Sequence, residues 1–219
     1  MKRVRYNVDA MARSDVQLML GVKSGDDSSF ELLLRRYRTP LVNFLYRMVR
    51  DGAAAEDLAQ EVFLRVYRAR GQYVPTAKFT TWMFRIATNL ALNALRDGRY
   101  RQMEISIDQT GADHSADGES DQPTKEIADR QASIESELIQ RDRAEQIRRA
   151  VESLPEKQRA AVLLHKYEEL DYDQIANVLG CSESALKSLL FRAYETLRVE
   201  LAPLIKTQQV SSQAARFGK

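Results

Sequence analysis

The sequence predicts an all-α protein: two small helical domains joined by a flexible acidic linker. Three observations carry this. Apolar residues recur at three- and four-residue spacing on both sides of a central gap, the period of helices that bury one face. Only 9 glycines and 5 prolines interrupt the 219 residues, too few turn formers for a chain of many short strands. Between 102 and 133 the apolar period stops, and carboxylates, serine and glycine take over. The expected division is an N-terminal extension at 1–13, a first domain at 14–101, the linker at 102–133, a second domain at 134–204 and a tail at 205–219.

In chain order, Phe30, Leu33, Leu34, Tyr37, Leu41, Phe44, Leu45 and Met48 fall on helical spacing between Asp15 and about Arg50. Pro40 has no amide hydrogen and is expected to split this stretch into two helices or to kink one. "DGAAAEDLAQEVFLRVYRAR" is the next helix, with Leu58, Val62, Phe63, Val66 and Tyr67 on one side. "GQYVPTAK" reads as a turn punctuated by Gly71 and Pro75. A long helix follows from Phe79 to Arg101, with an expected apolar stripe of Phe79, Trp82, Met83, Ile86, Ala87, Leu90 and Ala94. The acidic stretch after it, with Asp108, Asp113, Asp117, Glu119 and Asp121, is too poor in apolar residues to fold alone. Helical spacing resumes near Ile134 and lasts to Leu204.

The second domain holds a helix-turn-helix pattern in "DYDQIANVLGCSESALKSLLFRAYETL". Asp171 can cap the first helix, with Gln174 closing a capping box. Ile175 and Leu179 are expected to face inward, and Ala176 is small where two helices cross. Gly180 stands where the chain must turn, in a left-handed conformation that glycine adopts freely. Ser182 can cap the second helix, and Leu186 and Leu190 return to the core. Val162, Leu163 and Tyr167 upstream read as core, and His165 as a boundary residue. In such a unit the start of the second helix enters the major groove. Ser182, Glu183, Ser184, Lys187 and Ser188 would then point outward; Lys187 and Arg192 suit phosphates or guanine edges, and Glu183 a cytosine amine.

The Phe79–Arg101 helix also sets Arg85, Asn89, Arg96 and Arg99 on a face apart from its apolar stripe, with Trp82 at the border. Cations beside an aromatic suit a single strand, because bases stack while cations hold phosphates. The competing reading makes Trp82 core and the arginines a solvated helix end.

Composition narrows the function further. The net charge is only +2, so nucleic-acid binding has to come from local clusters. The single cysteine, Cys181, forms no internal disulfide, and the sequence has no zinc-type Cys/His spacing, P-loop or Ser/His/Asp-like arrangement. No catalytic residue, metal or cofactor is predicted, and the chain is read as non-enzymatic. No apolar run reaches membrane-spanning length, and the basic N-terminus lacks the apolar segment of a secretory signal. A cytoplasmic protein without membrane insertion is expected.

"DLAQEVFLRVYR", then "FTTWMFRIATNLALNALR", then "LPEKQRAAVLLHKYEELDYDQIANVLGCSESALKSLLFRAYETLR" resemble the extracytoplasmic-function (ECF) RNA polymerase sigma factors of the sigma-70 family, in the family's order and spacing. The resemblance implies a sigma2-like bundle and a sigma4-like helix-turn-helix that bring core RNA polymerase to the minus-ten and minus-thirty-five promoter elements. It implies that Asp57, Gln60, Glu61 and Arg65 dock on the clamp helices of the large polymerase subunit, with the flap as a further contact. Residues 72–78 would capture an unstacked minus-ten base, with Trp82, Arg85, Asn89, Asn93, Arg96 and Arg99 on the opened strand. Ser182, Glu183, Ser184, Lys187, Ser188 and Arg192 would face the minus-thirty-five element. The family often has Asp at the position of Asn93, and Lys-Ser-Arg where this chain has Lys187-Ser188-Leu189. Promoter DNA and core polymerase are the implied partners, an anti-sigma factor a possible third. The alternative reading is a one-component helix-turn-helix transcriptional regulator, which would need a ligand pocket and a dimer interface.

Overall fold

A computed structural model of the chain describes residues 13–108 and 129–204, with side chains at 13–98 and 140–204. Residues 1–12 of the expected extension, the centre of the linker, the tail from 205 and the Arg99 side chain lie outside the described residues. Regular structure among the described residues is helical: α1 (Asp15–Lys23), α2 (Asp27–Val49), α3 (Gly52–Arg68), a 3-10 turn (Ala69–Gln72), α4 (Phe79–Asp108), α5 (Asp129–Ser153), α6 (Glu156–Lys166), α7 (Tyr172–Leu179) and α8 (Glu183–Glu200). α4 and α5 reach into the 102–133 span read as linker. The chain groups into two compact units, Met1–Asp97 with Pro155–Ala193, and Gly98–Leu154 with Tyr194–Lys219.

In the first unit the chain does not split into two helices at Pro40, the first of the two outcomes expected there. α2 runs through Pro40, and the chain breaks instead at Ser24–Asp26. Gly25 takes φ +92° there, and Asp26 accepts the Ser28 amide at 3.1 Å to start α2. A proline removes one helical hydrogen bond, and α2 offsets that loss by burying Leu33, Leu41, Phe44, Leu45 and Met48. Asp15 of α1 accepts from both Arg36 and Tyr37 of α2. At the same junction Gly21 leaves no room for a side chain: a Cβ there would lie 2.5 Å from Ser29 Oγ and 3.0 Å from Ser29 Cβ.

α3 buries Ala55, Ala59, Val62, Phe63 and Val66. Its start is capped by Asp51, which accepts the Ala54 amide at 2.9 Å. α4 packs Phe79 against Tyr37, ring centres 5.4 Å apart, and Phe84 edge-on to Phe44 at 5.3 Å. The buried side of α4 is Phe79, Met83, Phe84, Ala87, Thr88 and Ala91, whereas Trp82, Ile86, Leu90 and Ala94 are half-buried. The apolar stripe is thus rotated from the one expected. Phe84 and Ala91 are consistent with either rotation in the sequence, and the Phe44 contact selects this one.

In the same unit the helix-turn-helix forms as expected. Gln174 Oε1 accepts the Asp171 amide at 3.3 Å, closing the capping box. Gly180 takes φ +63°, and the Cys181 amide donates to Ala176 O at 3.0 Å while Gly180 N donates to Asn177 O at 3.3 Å. These two bonds are a Schellman C-terminus, which supplies partners for carbonyls the helix leaves free. Ser182 Oγ accepts the Ala185 amide at 3.2 Å, starting α8. Ile175, Ala176, Leu186 and Leu190 are buried, while Leu179 is half-buried. Tyr167, expected in the core, is instead 47% exposed, its ring held 4.0 Å beneath the Arg47 guanidinium. In the second unit Ala150, Leu154 and Leu197 are buried, and Ser153 Oγ donates to Glu200 at 2.7 Å.

Two stability predictions follow from this packing. Gly21→Ala should lower the urea midpoint, at a cost of about 1–3 kcal/mol from overpacking against Ser29; an unchanged midpoint would show that the α1–α2 junction yields freely. Burial pushes the Glu168 carboxyl up from 4.5 to about 7, against the opposing pull of the Arg47 guanidinium. Between those values the folded chain holds the proton that the unfolded chain has lost. Stability from this group therefore falls as pH rises through the window and is level above it. Glu168→Gln should gain on the wild type across that window in denaturation at several pH values. A pH-independent difference would contradict the assignment.

Candidate nucleic-acid interface

The turn between α3 and α4 makes a pocket of about 400 Å³, lined among others by Gln72, Tyr73, Val74, Thr81, Trp82 and Arg85. Its shape is set from below. Lys23 of α1 donates to Tyr73 O at 2.9 Å, pinning the turn. Tyr73 and Trp82 stand with ring centres 5.4 Å apart, and Phe79 is 6.1 Å from Trp82. Trp82 is therefore both core and platform: two aromatic neighbours hold it, and it remains half-buried at the pocket. Tyr73 and Thr81 are 6% and 3% exposed, and Tyr73 Oη and Thr81 Oγ1 have no hydrogen-bond partner among the described residues. Burial pushes the Tyr73 hydroxyl pKa up, and the Asp15 carboxylate adds to the shift, so the phenol stays a neutral donor. A half-buried planar ring at the edge of a pocket suits an unstacked base.

From this pocket an exposed stripe continues along α4: Arg85, Asn89, Asn93 and Arg96. Successive steps of four, four and three residues keep them on one face. Arg96 lies 3.7 Å from Asp97, both largely exposed, a contact too solvated to hold the arginine. Thr81 was missed from the sequence, where a threonine on an apolar helix carries no special signal, whereas Tyr73 falls in the 72–78 turn that the family resemblance implied for base capture.

A second surface lies between α2 and α3. An apolar groove of about 560 Å³ is lined by Phe30, Leu34, Ala59, Phe63, Leu64 and Tyr67, with Asp27, Arg38, Glu56 and Gln60 at its polar positions. Gln60 belongs to it, whereas Asp57, Glu61 and Arg65 occupy the neighbouring stripe of α3 and are not among its lining residues. Asp57 is exposed, and Arg65 Nε donates to Glu61 at 2.7 Å. Leu64, 47% exposed, is an apolar contributor the sequence reading left out, because it falls one position off the buried stripe.

On α8, Ser182, Glu183, Ser184, Lys187, Ser188 and Arg192 are all exposed, as the helix-turn-helix register requires. Lys187 Nζ lies 2.6 Å from Glu183 Oε1, and this bond holds the lysine pKa above its ordinary value. Arg192 Nε donates to Ser188 O at 3.3 Å, which lays the guanidinium along the helix. Leu189 is half-buried, so it packs in part.

The chain matches Sigma-70 region 2 over residues 33–101 and Sigma-70, region 4 over residues 144–197. It is similar to the RNA polymerase sigma-H factor of Pseudomonas aeruginosa, 32% identical over 192 residues that cover 88% of this chain and 96% of the relative. It is also similar to the ECF RNA polymerase sigma-E factor of Escherichia coli K12, 32% identical over 193 residues covering 88% and 97%. In fold it resembles CnrH in complex with the cytosolic domain of CnrY, with TM-score 0.60 and 20% identity over 87% of this chain and 99% of that one. It likewise resembles the sigma factor RpoE in complex with the anti-sigma factor NepR from Bartonella quintana, with TM-score 0.56 and 20% identity over 79% and 96%. These matches favour the sigma-factor reading over a one-component regulator. The chain belongs to the extracytoplasmic-function sigma factors of the sigma-70 family, and it acts in promoter-directed initiation of transcription by RNA polymerase.

Proposed function

We propose that the three surfaces divide the work of initiation. The α3 stripe of Asp57, Gln60, Glu61 and Arg65, beside the α2–α3 groove, docks on the clamp helices of the large polymerase subunit. The Trp82 pocket and the α4 stripe of Arg85, Asn89, Asn93 and Arg96, with Arg99 next along the sequence, hold the opened minus-ten strand. The start of α8, from Ser182 to Arg192, reads the minus-thirty-five element. By sequence the two working segments are 14–101 and 134–204, with the flap meeting the second. The observation that carries this reading is the continuity of a stacking pocket with an exposed cation and amide stripe on one helix. Stacking and phosphate contacts together are what an unpaired strand offers.

The protein carries no chemistry of its own in this reading; core polymerase supplies it. Its place of work is the cytoplasm, where the polymerase is, and among the described residues no helix is long and apolar enough to cross a membrane. An anti-sigma factor is a further expected partner. The fold neighbours CnrH and RpoE are each seen in complex with another protein, which for RpoE is an anti-sigma factor.

Docking and opening should separate by mutation. Replacing Asp57 and Glu61 should weaken capture of the chain by core polymerase. Replacing Arg85 and Arg96 should leave capture intact and reduce promoter opening, by roughly tenfold per arginine. If both pairs gave the same defect in a pull-down with core enzyme, the assignment of faces would be wrong.

Sequence-specific binding should also require the core enzyme. The net charge is +2, and Lys187 and Arg192 on α8 stand among carboxylates, so phosphate neutralisation by the free chain is weak. A mobility shift at physiological salt, with and without core polymerase, reads this directly. Tight specific binding by the protein alone, to a palindrome and as a dimer, would restore the one-component regulator.

A further inference from the structure

The groove between α2 and α3 is apolar along its floor and polar at both ends. At one end Tyr67 Oη donates to Asp27 Oδ1 at 3.5 Å, with the Arg70 guanidinium 4.0 Å from the Tyr67 ring centre. At the other, Arg38 Nη2 donates to Glu56 Oε1 at 3.1 Å, next to exposed Asp57. Between the ends Phe30 stands 5.0 Å from Tyr67 and 6.5 Å from Phe63, and Leu64 is 47% exposed. Asp27 and Arg38 lie about 16 Å apart along the axis of α2. A contiguous apolar surface of this kind marks a place for a partner. The occupant it fits is apolar over that length, anionic toward Arg70 and cationic toward Glu56 and Asp57.

A segment of this description joins the fold beside the groove. Arg13, the first described residue, lies with Nη1 3.7 Å from Asp26 Oδ2, and its carbonyl accepts from Arg36 Nη1 at 3.3 Å. Asp26 precedes Asp27 in the chain, so residues 1–12 enter at the Tyr67 end of the groove. Their sequence, "MKRVRYNVDAMA", alternates: Val4, Tyr6, Val8 and Ala10 fall on one side of an extended chain, and Arg3, Arg5, Asn7 and Asp9 on the other. Extended, Val4 to Val8 spans about 13 Å, close to the length of the groove, and Val8 to Arg13 adds about 17 Å of reach. Running away from Arg13, the segment brings Asp9 to the Arg70 end, and Arg5 and Arg3 to the end with Glu56 and Asp57. Length, alternation and the order of charges thus agree with one direction of entry.

We propose that residues 1–12 of this chain are the occupant of the α2–α3 groove, lying extended with Tyr6 between Phe30, Leu34 and Leu64, and that they compete there with the polymerase clamp helices. The inference rests on the reading of the α3 stripe as the docking face. Gln60 belongs both to the groove and to that stripe, and Asp57 of the stripe is the carboxylate that Arg3 and Arg5 approach. The seated segment and the clamp helices therefore cannot use α3 together. A ligand on a short tether acts at high effective concentration and needs little affinity of its own. Capture by core polymerase is then weakened by the fraction of chains in which the groove is open. Variation in residues 1–12 thereby tunes how well this chain competes for core enzyme, with no change in the docking residues themselves.

The test uses the full chain with photoreactive benzoylphenylalanine in place of Tyr6. Irradiated in dilute solution without polymerase, it should cross-link within the chain to Phe30, Leu34 or Leu64, read by mass spectrometry. Leu64→Glu, a change at an exposed position, should abolish that cross-link. Capture by core polymerase is then compared between the wild type and the triple variant Val4→Ser, Tyr6→Ser, Val8→Ser, whose changes all lie before α1. The triple variant should bind core enzyme about fivefold more tightly. No cross-link, cross-links away from the groove, or cross-links between two chains would overturn the seating, the last by showing a second copy in the groove. Equal capture of the wild type and the triple variant would overturn the competition and the proposal with it. Replacing Asp57 and Glu61 tests the docking face separately. Undiminished capture there would remove the docking reading itself, whereas loss there with no gain in the triple variant would remove the proposal alone.

Discussion

Helix α4 has to bury one side and leave another bare over the same turns, and the rest of the first unit is arranged around that constraint. The buried side is anchored by Phe79 on Tyr37 and by Phe84 on Phe44. Those two aromatic contacts fix the rotation of the helix about its axis. Once the rotation is fixed, Arg85, Asn89, Asn93 and Arg96 can only point outward, and Trp82 can only stand at the boundary. A rotation of one residue would bury Trp82 and pull Arg85 toward the apolar side. The polar face therefore owes its geometry to core residues that never touch nucleic acid, and each large fully buried side chain of that core is worth on the order of 2–5 kcal/mol against truncation to alanine.

The same logic explains the turn before α4. The pocket needs a turn that neither folds into the core nor floats free. Lys23 reaches across from α1 to hold Tyr73 O, and Tyr73 drops its ring against Trp82. α1 is itself held to α2 by Asp15, which takes hydrogen bonds from Arg36 and Tyr37. Gly21 permits the close approach of these two helices. The chain of dependence runs from a small residue, through a shared carboxylate and a lysine, to the wall of the Trp82 pocket.

The helix-turn-helix was legible in the sequence almost residue by residue, because its signals are local. A capping box, a left-handed glycine and a serine cap lie within a dozen residues, and each acts on its own backbone. Pro40 left two outcomes open in the sequence because its effect is not local: the packing of Leu41, Phe44 and Leu45 decides whether a helix survives a missing amide. Tyr167 misled, since an aromatic at helical spacing reads as core, and only the placement of Arg47 makes it a surface platform. Gly25, where the first stretch does break, had the simple signal of a glycine followed by two aspartates. Thr81 and Leu64 had none, for their importance comes from what the fold places beside them. Buried Arg159 is the extreme case: an ordinary cation in "LPEKQR" finds its acceptor on a carbonyl far away in sequence, at Met48.

Charge pairing ties these surfaces together. Arg65 is held by Glu61, Lys187 by Glu183, and Arg85 and Lys78 meet Asn177 and Asp171. The cations of each face are thus partly occupied before any partner arrives. Exposed pairs of this kind contribute only a few tenths of a kcal/mol each. That is too little to stabilise the fold appreciably and too little to block a phosphate backbone, whose neutralisation also releases counterions. Binding strength must then come from many such exchanges made together. Only a scaffold that holds both segments against one duplex can make them simultaneous, because the entropy of aligning two separate sites is then met once, on docking, rather than at every encounter.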